Sequence, residues 1–295
     1  MSRIFKLRSV MKLFVLGLIV IMGASLLPAQ SLFLEGPAST KGKLTFRYVH
    51  PSFKEVGSNM TALSGNYEVG VSIPVLSRLN FVGSLPYLTY GYNYDWYGYT
   101  DKYRESGLGN LSVGLQYLLK STENEKTSVS LIASLPTMKS DDEDIPYFAG
   151  MLANYTEIGK YFPETLTLRG NFAHHAIKKS GLMYGVEVGP DALIPTDDSS
   201  ERKVELFLHY GGMVGYRAPL VDIVAEVVGN VYLTGEDYNY YDDNSDNLTE
   251  LTFGVSLNRG RIRPGVYYSA ILFNKEFKEY LKGKFGIKVE IDLKK

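Results

Sequence analysis

Apolar and polar residues alternate with a period of two along most of this chain. In 66–75, Tyr67, Val69, Val71, Ile73 and Val75 fall on one face, and Asn66, Glu68, Gly70 and Ser72 on the other. Leu111, Val113, Leu115, Tyr117 and Leu119 do the same against Asn110, Ser112, Gly114 and Gln116. So do Leu251, Phe253, Val255 and Leu257, and near the end Phe285, Ile287, Val289, Ile291 and Leu293. Successive strand side chains point to opposite sides, so this pattern predicts strands. It places them at 43–50, 66–75, 80–94, 108–119, 127–136, 165–177, 182–194, 203–216, 219–233, 249–258, 261–273 and 284–293. That is an even number, which leaves both chain ends on one side. The segment 147–162 alternates poorly and reads as an outer loop or a short helix. The other reading makes it a strand in exchange for 182–194.

Many of these runs approach the roughly 9–11 residues that a tilted strand needs to cross a bilayer. Strands of a soluble sandwich, the competing reading, are shorter, about 5–6 residues. The polar faces are rich in Gly, Ser and opposite charges, as suits a narrow wet interior, whereas a sandwich would turn its polar faces outward. Tyr90, Tyr92, Tyr94 and Trp96 are expected to form part of an aromatic girdle at the membrane interface. Joins at 76–79, 217–220 and 258–261 are tight, while 95–106 and 236–247 are long and polar, the alternation of periplasmic turns and outer loops. The pattern thus predicts an all-β protein, a transmembrane antiparallel β-barrel of about 12 strands, closed because a lipid-exposed sheet edge would leave backbone groups unpaired in hydrocarbon.

The first residues fall outside this scheme. Arg3, Lys6, Arg8 and Lys12 precede the apolar run 13–27, and Pro28, Ala29 and Gln30 close it. This reads as a cleaved export signal over 1–30, cut near Ala29 or Gln30, with the barrel over 31–295. A retained membrane helix would usually need about 20 apolar residues. The chain has 0 Cys, so a lipidated-Cys anchor and a disulfide scaffold are both excluded. Its 31 basic and 32 acidic residues give a net charge of −1, which removes the clustered positive charge that nucleic-acid binding requires. Mean hydropathy of −0.09 with no second long apolar stretch argues against a helical membrane protein. It does not argue against a barrel.

The candidate chemistry lies mainly on the inward face. Arg47, Arg169, Lys203, Arg261, Arg263, Lys284 and Lys288 are expected there with Glu68, Glu187, Glu205, Asp222, Glu226, Glu250, Glu290 and Asp292. Charges in a narrow barrel must pair across strands. Such a lattice either fills the interior or lines a small polar conduit without strong ion preference. His50 and Ser52 share the outward face of the first strand, where a His could activate a Ser. No residue nominates itself as the third member, and Pro51 marks a strand end, so a solvated interface is the expectation and no catalytic residue is assigned. His174 and His175 are sequence neighbours and point to opposite faces of a strand, so they do not chelate one ion, and no metal site is expected. The acidic stretches 140–144 and 242–247 read as solvated loops. The second lacks the Gly and Glu of an EF-hand. The glycines of 106–110 open a strand rather than a helix, so no dinucleotide cofactor is expected.

The stretch "SGLGNLSVGLQYLL" (106–119), followed by "VSLIASLPT" (129–137), resembles the outer-membrane barrels of the meta-pathway of phenol degradation family, often described as transporters. The preceding hairpin with Leu85, Pro86 and Tyr87 fits the same likeness, which spans about 61–137 and departs from the family at Met138. The resemblance implies a bacterial outer-membrane barrel linked to uptake of small, often hydrophobic molecules, and supplies no catalytic residue. Lys284, Gly286, Val289 and Ile291 match the spacing by which barrel-assembly machinery reads a last strand, without the usual terminal aromatic. The expected partners are therefore membrane lipid and lipopolysaccharide, the assembly machinery and a small solute. A plugged structural or surface-interaction barrel acting through its Tyr/Asp-rich loops is the alternative.

Overall fold

The computed structural model describes residues 41–54, 60–61, 63–96, 99–138, 145–197, 203–234 and 247–293. The expected leader 1–30 and the acidic stretches 140–144 and 242–246 lie outside them. Thirteen strand segments run in order: β1 (Lys43–Phe53), β2 (Gly65–Pro74), β3 (Leu79–Trp96), β4 (Tyr99–Leu108), β5 (Ser112–Ser121), β6 (Glu125–Ser134), β7 (Thr165–Ile177), β8 (Leu182–Pro195), β9 (Glu205–Arg217), β10 (Val221–Tyr232), β11 (Asn247–Leu257), β12 (Ile262–Phe273) and β13 (Leu281–Asp292). Between β6 and β7 lie helix α1 (Ile145–Ala153) and a 3₁₀ turn (Tyr155–Lys160), and between β12 and β13 the short helix α2 (Lys275–Tyr280).

Neighbours pair antiparallel around a closed ring, in which β1 joins β13 and β2 joins β3. The far part of β3 pairs with β4 and its near part with β5, so β4 and β5 occupy successive levels of one wall position. The wall is therefore a closed 12-stranded barrel. No backbone edge is left for lipid to meet. The stretch 95–106, expected as a long polar loop, is mostly strand, because Trp96 pairs with Tyr99 and Tyr90 with Glu105. This hairpin extends past Gly65, the end of β2, which pairs with Thr89. Beyond the apolar belt both faces of a strand are polar, and polarity no longer separates strand from loop.

Burial follows the alternation. Phe46, Val69, Leu115, Leu131, Val214 and Phe253 point outward and are exposed, while Arg47, Glu226, Glu250, Thr252 and Arg263 point inward and are buried. A continuous exposed apolar exterior around a polar interior is the arrangement of a bacterial outer-membrane barrel.

The aromatic belt sits elsewhere than expected. Tyr90 faces inward, 3% exposed, and donates to Asn66 Oδ1 at 2.7 Å. Tyr92, Tyr94 and Trp96 belong to the β3–β4 hairpin beyond β2, and their side chains lie outside the described ones. The outward rings are Tyr48, Tyr67 and Tyr87, in register across β1, β2 and β3 with centroids 4.6 and 6.4 Å apart. Phe253, Tyr268 and Phe285 continue such a row across β11, β12 and β13. Tyr117, Tyr184 and Tyr216 are exposed toward the tight-turn end. A one-residue error of face is the reason: the even-numbered positions of β3 carry Leu88 and Tyr90 inward, and the odd ones carry Phe81, Leu85 and Tyr87 out.

One glycine fixes a close contact in the wall. Gly286 is paired with Tyr267, and a Cβ built there would lie 2.0 Å from the ring carbon Cζ. Tyr267 thus occupies the space that a side chain at 286 would need. Gly286→Ala is expected to destabilise the barrel by about 1–3 kcal/mol, the usual range for overpacking, seen as a lower urea midpoint in lipid vesicles. An unchanged midpoint would mean that the ring has room to turn away.

Candidate functional site

The connection between β6 and β7 folds into the barrel instead of over it. A chain segment inside a protein must find partners for its backbone groups, and wall amides supply them. Asn66 Nδ2 donates to the Gly150 carbonyl at 3.0 Å. Asn110 Nδ2 donates to the Gly159 and Phe162 carbonyls at 3.0 and 2.7 Å, and Asn230 Nδ2 to Tyr155 O at 2.9 Å. Arg169 Nη2 donates to Thr156 O at 2.8 Å. Apolar contacts complete the docking. Ala149 and Tyr161 pack with Phe53, Leu88, Leu248, Ile271 and Leu281, and Ile158 packs with Leu193 and Phe207. Gly159 lies against β7, where an added Cβ would come within 2.5 Å of Thr167.

Four buried charges of alternating sign tie this segment to the wall. Arg47 of β1 and Glu68 of β2 are direct cross-strand partners. Arg47 Nη2 donates to both Glu68 and Glu157. Lys160 Nζ donates to Glu68 Oε1 at 2.6 Å and to Glu157 Oε1 at 2.7 Å. Each cation therefore touches both anions, which is how a low-dielectric interior accommodates charge. Burial pushes the Glu157 carboxyl up, but the Arg47 guanidinium and then the Lys160 ammonium outweigh it and hold it well below the usual carboxylate range.

A second network adjoins the first. Arg169 grips Asp191 through Nε at 2.8 Å and Nη2 at 2.6 Å. His209 Nδ1 lies 3.0 Å from Asp191 Oδ1, and its Nε2 lies 3.2 Å from Asn171 Oδ1. Beneath Glu157, Gly159 and Lys160 these groups line a cavity of about 240 Å³. One side of it is charged. The other side, from β2 to β6, presents Ser72, Ser84, Ser112, Gln116 and Ser134 among Val71, Val82 and Ile132, with the Ser112 and Ser134 hydroxyls 2.8 Å apart.

The opposite part of the interior is filled. Lys284 Nζ meets Glu250 Oε2 at 2.5 Å, and Ser269 donates to the same oxygen at 3.1 Å. Arg263 reaches both Asp292 oxygens at 2.9 Å and Glu290 at 3.2 Å. Arg217 is paired with Asp222. Met183, Met213, Val224, Val228, Val49 and Tyr267 make an apolar cluster among them.

Of the charges expected inward, Arg47, Glu68, Arg169, Glu187, Lys288 and Glu290 line the cavity, and Asp222, Glu226, Glu250, Arg263, Lys284 and Asp292 are buried in the wall lattice. Glu205 stands half-buried at the start of β9. Two residues depart from the expectation. Lys203 is exposed ahead of β9, and Arg261 is exposed in the turn before β12, donating to the Asp292 carbonyl at 3.0 and 3.3 Å. Alternation extrapolates past the end of a strand, where the wall has already stopped. Glu157, Lys160, Asp191, His209 and the docking asparagines were not legible as site residues. His209 and Asp191 share a face with Phe207 and Leu193, and only that parity signals them.

His50 and Ser52 do face outward. His50 Nδ1 lies 2.6 Å from the Ser64 carbonyl, so that nitrogen carries the proton and is held by backbone rather than by a carboxylate. Among the described residues no carboxylate orients His50 as a catalytic His requires. His174 and His175 point to opposite faces, the former 3.0 Å from Thr127 Oγ1 and the latter buried.

No family model and no curated protein matches the chain. Solved structures do. An outer membrane channel from Pseudomonas putida F1 superposes with a TM-score of 0.60 at 10% identity, covering 90% of this chain and all 100% of that one. This protein has the fold of an outer-membrane channel. At such low identity the likeness speaks of fold alone. Two further matches, the NanC porin and the KdgM porin, have TM-scores of 0.49 each at 9% and 8% identity, covering 86% and 85% of this chain and 100% and 99% of theirs.

Proposed function

We propose that this protein is a passive channel of the bacterial outer membrane for small solutes, exported with the help of a leader over 1–30 and seated among lipopolysaccharide by barrel-assembly machinery. The observation that carries this reading is the unequal filling of the lumen. One part is occupied by an apolar cluster and paired charges, while the part beside the Arg47–Glu68–Glu157–Lys160 clamp holds a cavity of about 240 Å³ lined by charged, hydroxyl and apolar side chains. Rigid inward-folded segments of this kind set the bore of a conduit, and lining charges set its selectivity. The motif resemblance over 61–137 to the meta-pathway transporters supports the same class.

A second reading is favoured by a specific observation: the apolar residues of 149–161 pack against wall residues on both sides of the mouth. A barrel closed in this way would act through its outer loops. Ion conductance of the refolded chain in a planar lipid bilayer separates the two. Discrete, reproducible openings are expected. A barrel that inserts and remains silent under every applied voltage would overturn the channel in favour of the closed barrel.

A further inference from the structure

The cavity beneath the clamp has a composition that selects among solutes. Its lining cations are Lys43, Arg47, Lys160, Arg169 and Lys288, and its lining anions are equal in number: Glu68, Glu157, Glu187, Asp191 and Glu290. Most of these are engaged with one another. Besides the clamp and the Arg169–Asp191 fork, Lys43 and Lys288 lie 3.6 and 3.5 Å from Glu290. An anionic or cationic guest would have to leave water for a site in which the counter-charges are already taken, a desolvation that the protein does not offset. An apolar guest would meet Val71, Val82 and Ile132 but leave the hydroxyls and amide between them without a partner in place of water.

The uncharged wall argues positively. Ser72, Ser84, Ser112, Gln116 and Ser134 come from four different strands, β2, β3, β5 and β6, and face one space. Hydroxyls donate and accept, so such a surface fits a guest that does both at several neighbouring atoms. The volume of about 240 Å³ lies below the range of about 300–1,000 Å³ typical of drug-sized ligands. It suits one small ring or short chain, not an oligomer.

From this geometry we infer that the cavity is a binding station for a small uncharged polyhydroxylated solute, of the size of a single sugar or cyclitol. The inference rests on the channel reading for its biological use, but binding itself does not require conduction. It runs against the hydrophobic cargo that the motif resemblance implies. The clamp then forms the roof of the station, and the Ser/Gln wall is the surface that the solute hydrogen-bonds.

The test is equilibrium binding to the full-length mature barrel in lipid nanodiscs, with empty nanodiscs as the control, read by saturation-transfer NMR. The probes are myo-inositol, glucuronate and phenol. Myo-inositol is expected to bind, and Gln116→Leu to weaken it at least fivefold. Ser84→Val, a milder change, serves if the first variant fails to fold. Phenol or glucuronate binding in preference to inositol would overturn the inference, as would inositol binding that neither variant alters, or no binding by any probe. The channel reading is judged separately. A conducting barrel that binds no inositol loses the station and keeps the channel. A silent barrel that binds inositol through Gln116 keeps the station and loses the channel.

Discussion

Glu157→Gln releases the segment that narrows the lumen. The substitution keeps size and shape but removes one of the two carboxylates that Arg47 and Lys160 share inside the barrel. Removing one partner from a buried ion network costs about 3–5 kcal/mol, because the remaining charge is left buried and uncompensated. Docking of 145–162 therefore shifts by roughly two to four powers of ten, each worth about 1.4 kcal/mol. The natural chain has no cysteine, so an Ala153→Cys background reports directly on docking. Ala153 is 0% exposed, and maleimide should label it slowly in that background and quickly once Glu157→Gln is added. Single-channel conductance should rise in step. Unchanged labelling and conductance would mean that the asparagine and apolar contacts hold the segment by themselves.

The same clamp fixes the sign of the acid response. The Glu157 carboxyl is held below its ordinary value in the docked state, so the docking that it contributes is complete above the free-carboxyl value of about 4.3. It fades as the pH falls below that toward the depressed value. Conductance should stay level from pH 7 down to about pH 5 and rise only in stronger acid. A transition centred near pH 6 would assign the gate to another group.

The second large effect is expected in the filled part of the barrel. Lys284→Met strands Glu250, which is 1% exposed and keeps only the Ser269 hydroxyl among the partners described above. Glu250→Leu removes the carboxylate that lies 2.5 Å from the Lys284 ammonium. Each single variant should lose about 3–5 kcal/mol, whereas the double variant, with two apolar side chains of similar volume, should fall within about 1 kcal/mol of the parent. Urea unfolding in lipid vesicles measures all three. Single variants as mild as the double would show that water reaches this pair and screens it. That result would also weaken the contrast between the solid and hollow parts of the lumen.

How much of this was readable in advance differs from strand to strand. The period-two pattern located the wall because the bilayer enforces it: any outward position within the hydrocarbon must be apolar, residue after residue. Val69, Leu115, Phe253 and Ile287 declare their face for that reason. Outside the hydrocarbon the enforcement ends. Hence 95–106 has the composition of a loop although its described residues are mostly strand, the alternation puts Tyr90 on the wrong face, and it carries Lys203 and Arg261 into a lumen that stops short of them.

The sequence by itself determined a membrane-crossing barrel, its face assignment within the apolar belt and the fact that inward charges must pair. Only the tertiary structure decided which charges pair with which, since Glu157 and Lys160 lie on a segment with no periodicity to reveal its direction. Their partners stand 110 and 92 residues away in the chain, at Arg47 and Glu68. Pairing across such separations is set by barrel closure and by the need of an inward-folded backbone for the Asn66, Asn110 and Asn230 amides. Those are constraints of three-dimensional packing, and they leave no regular spacing in the chain.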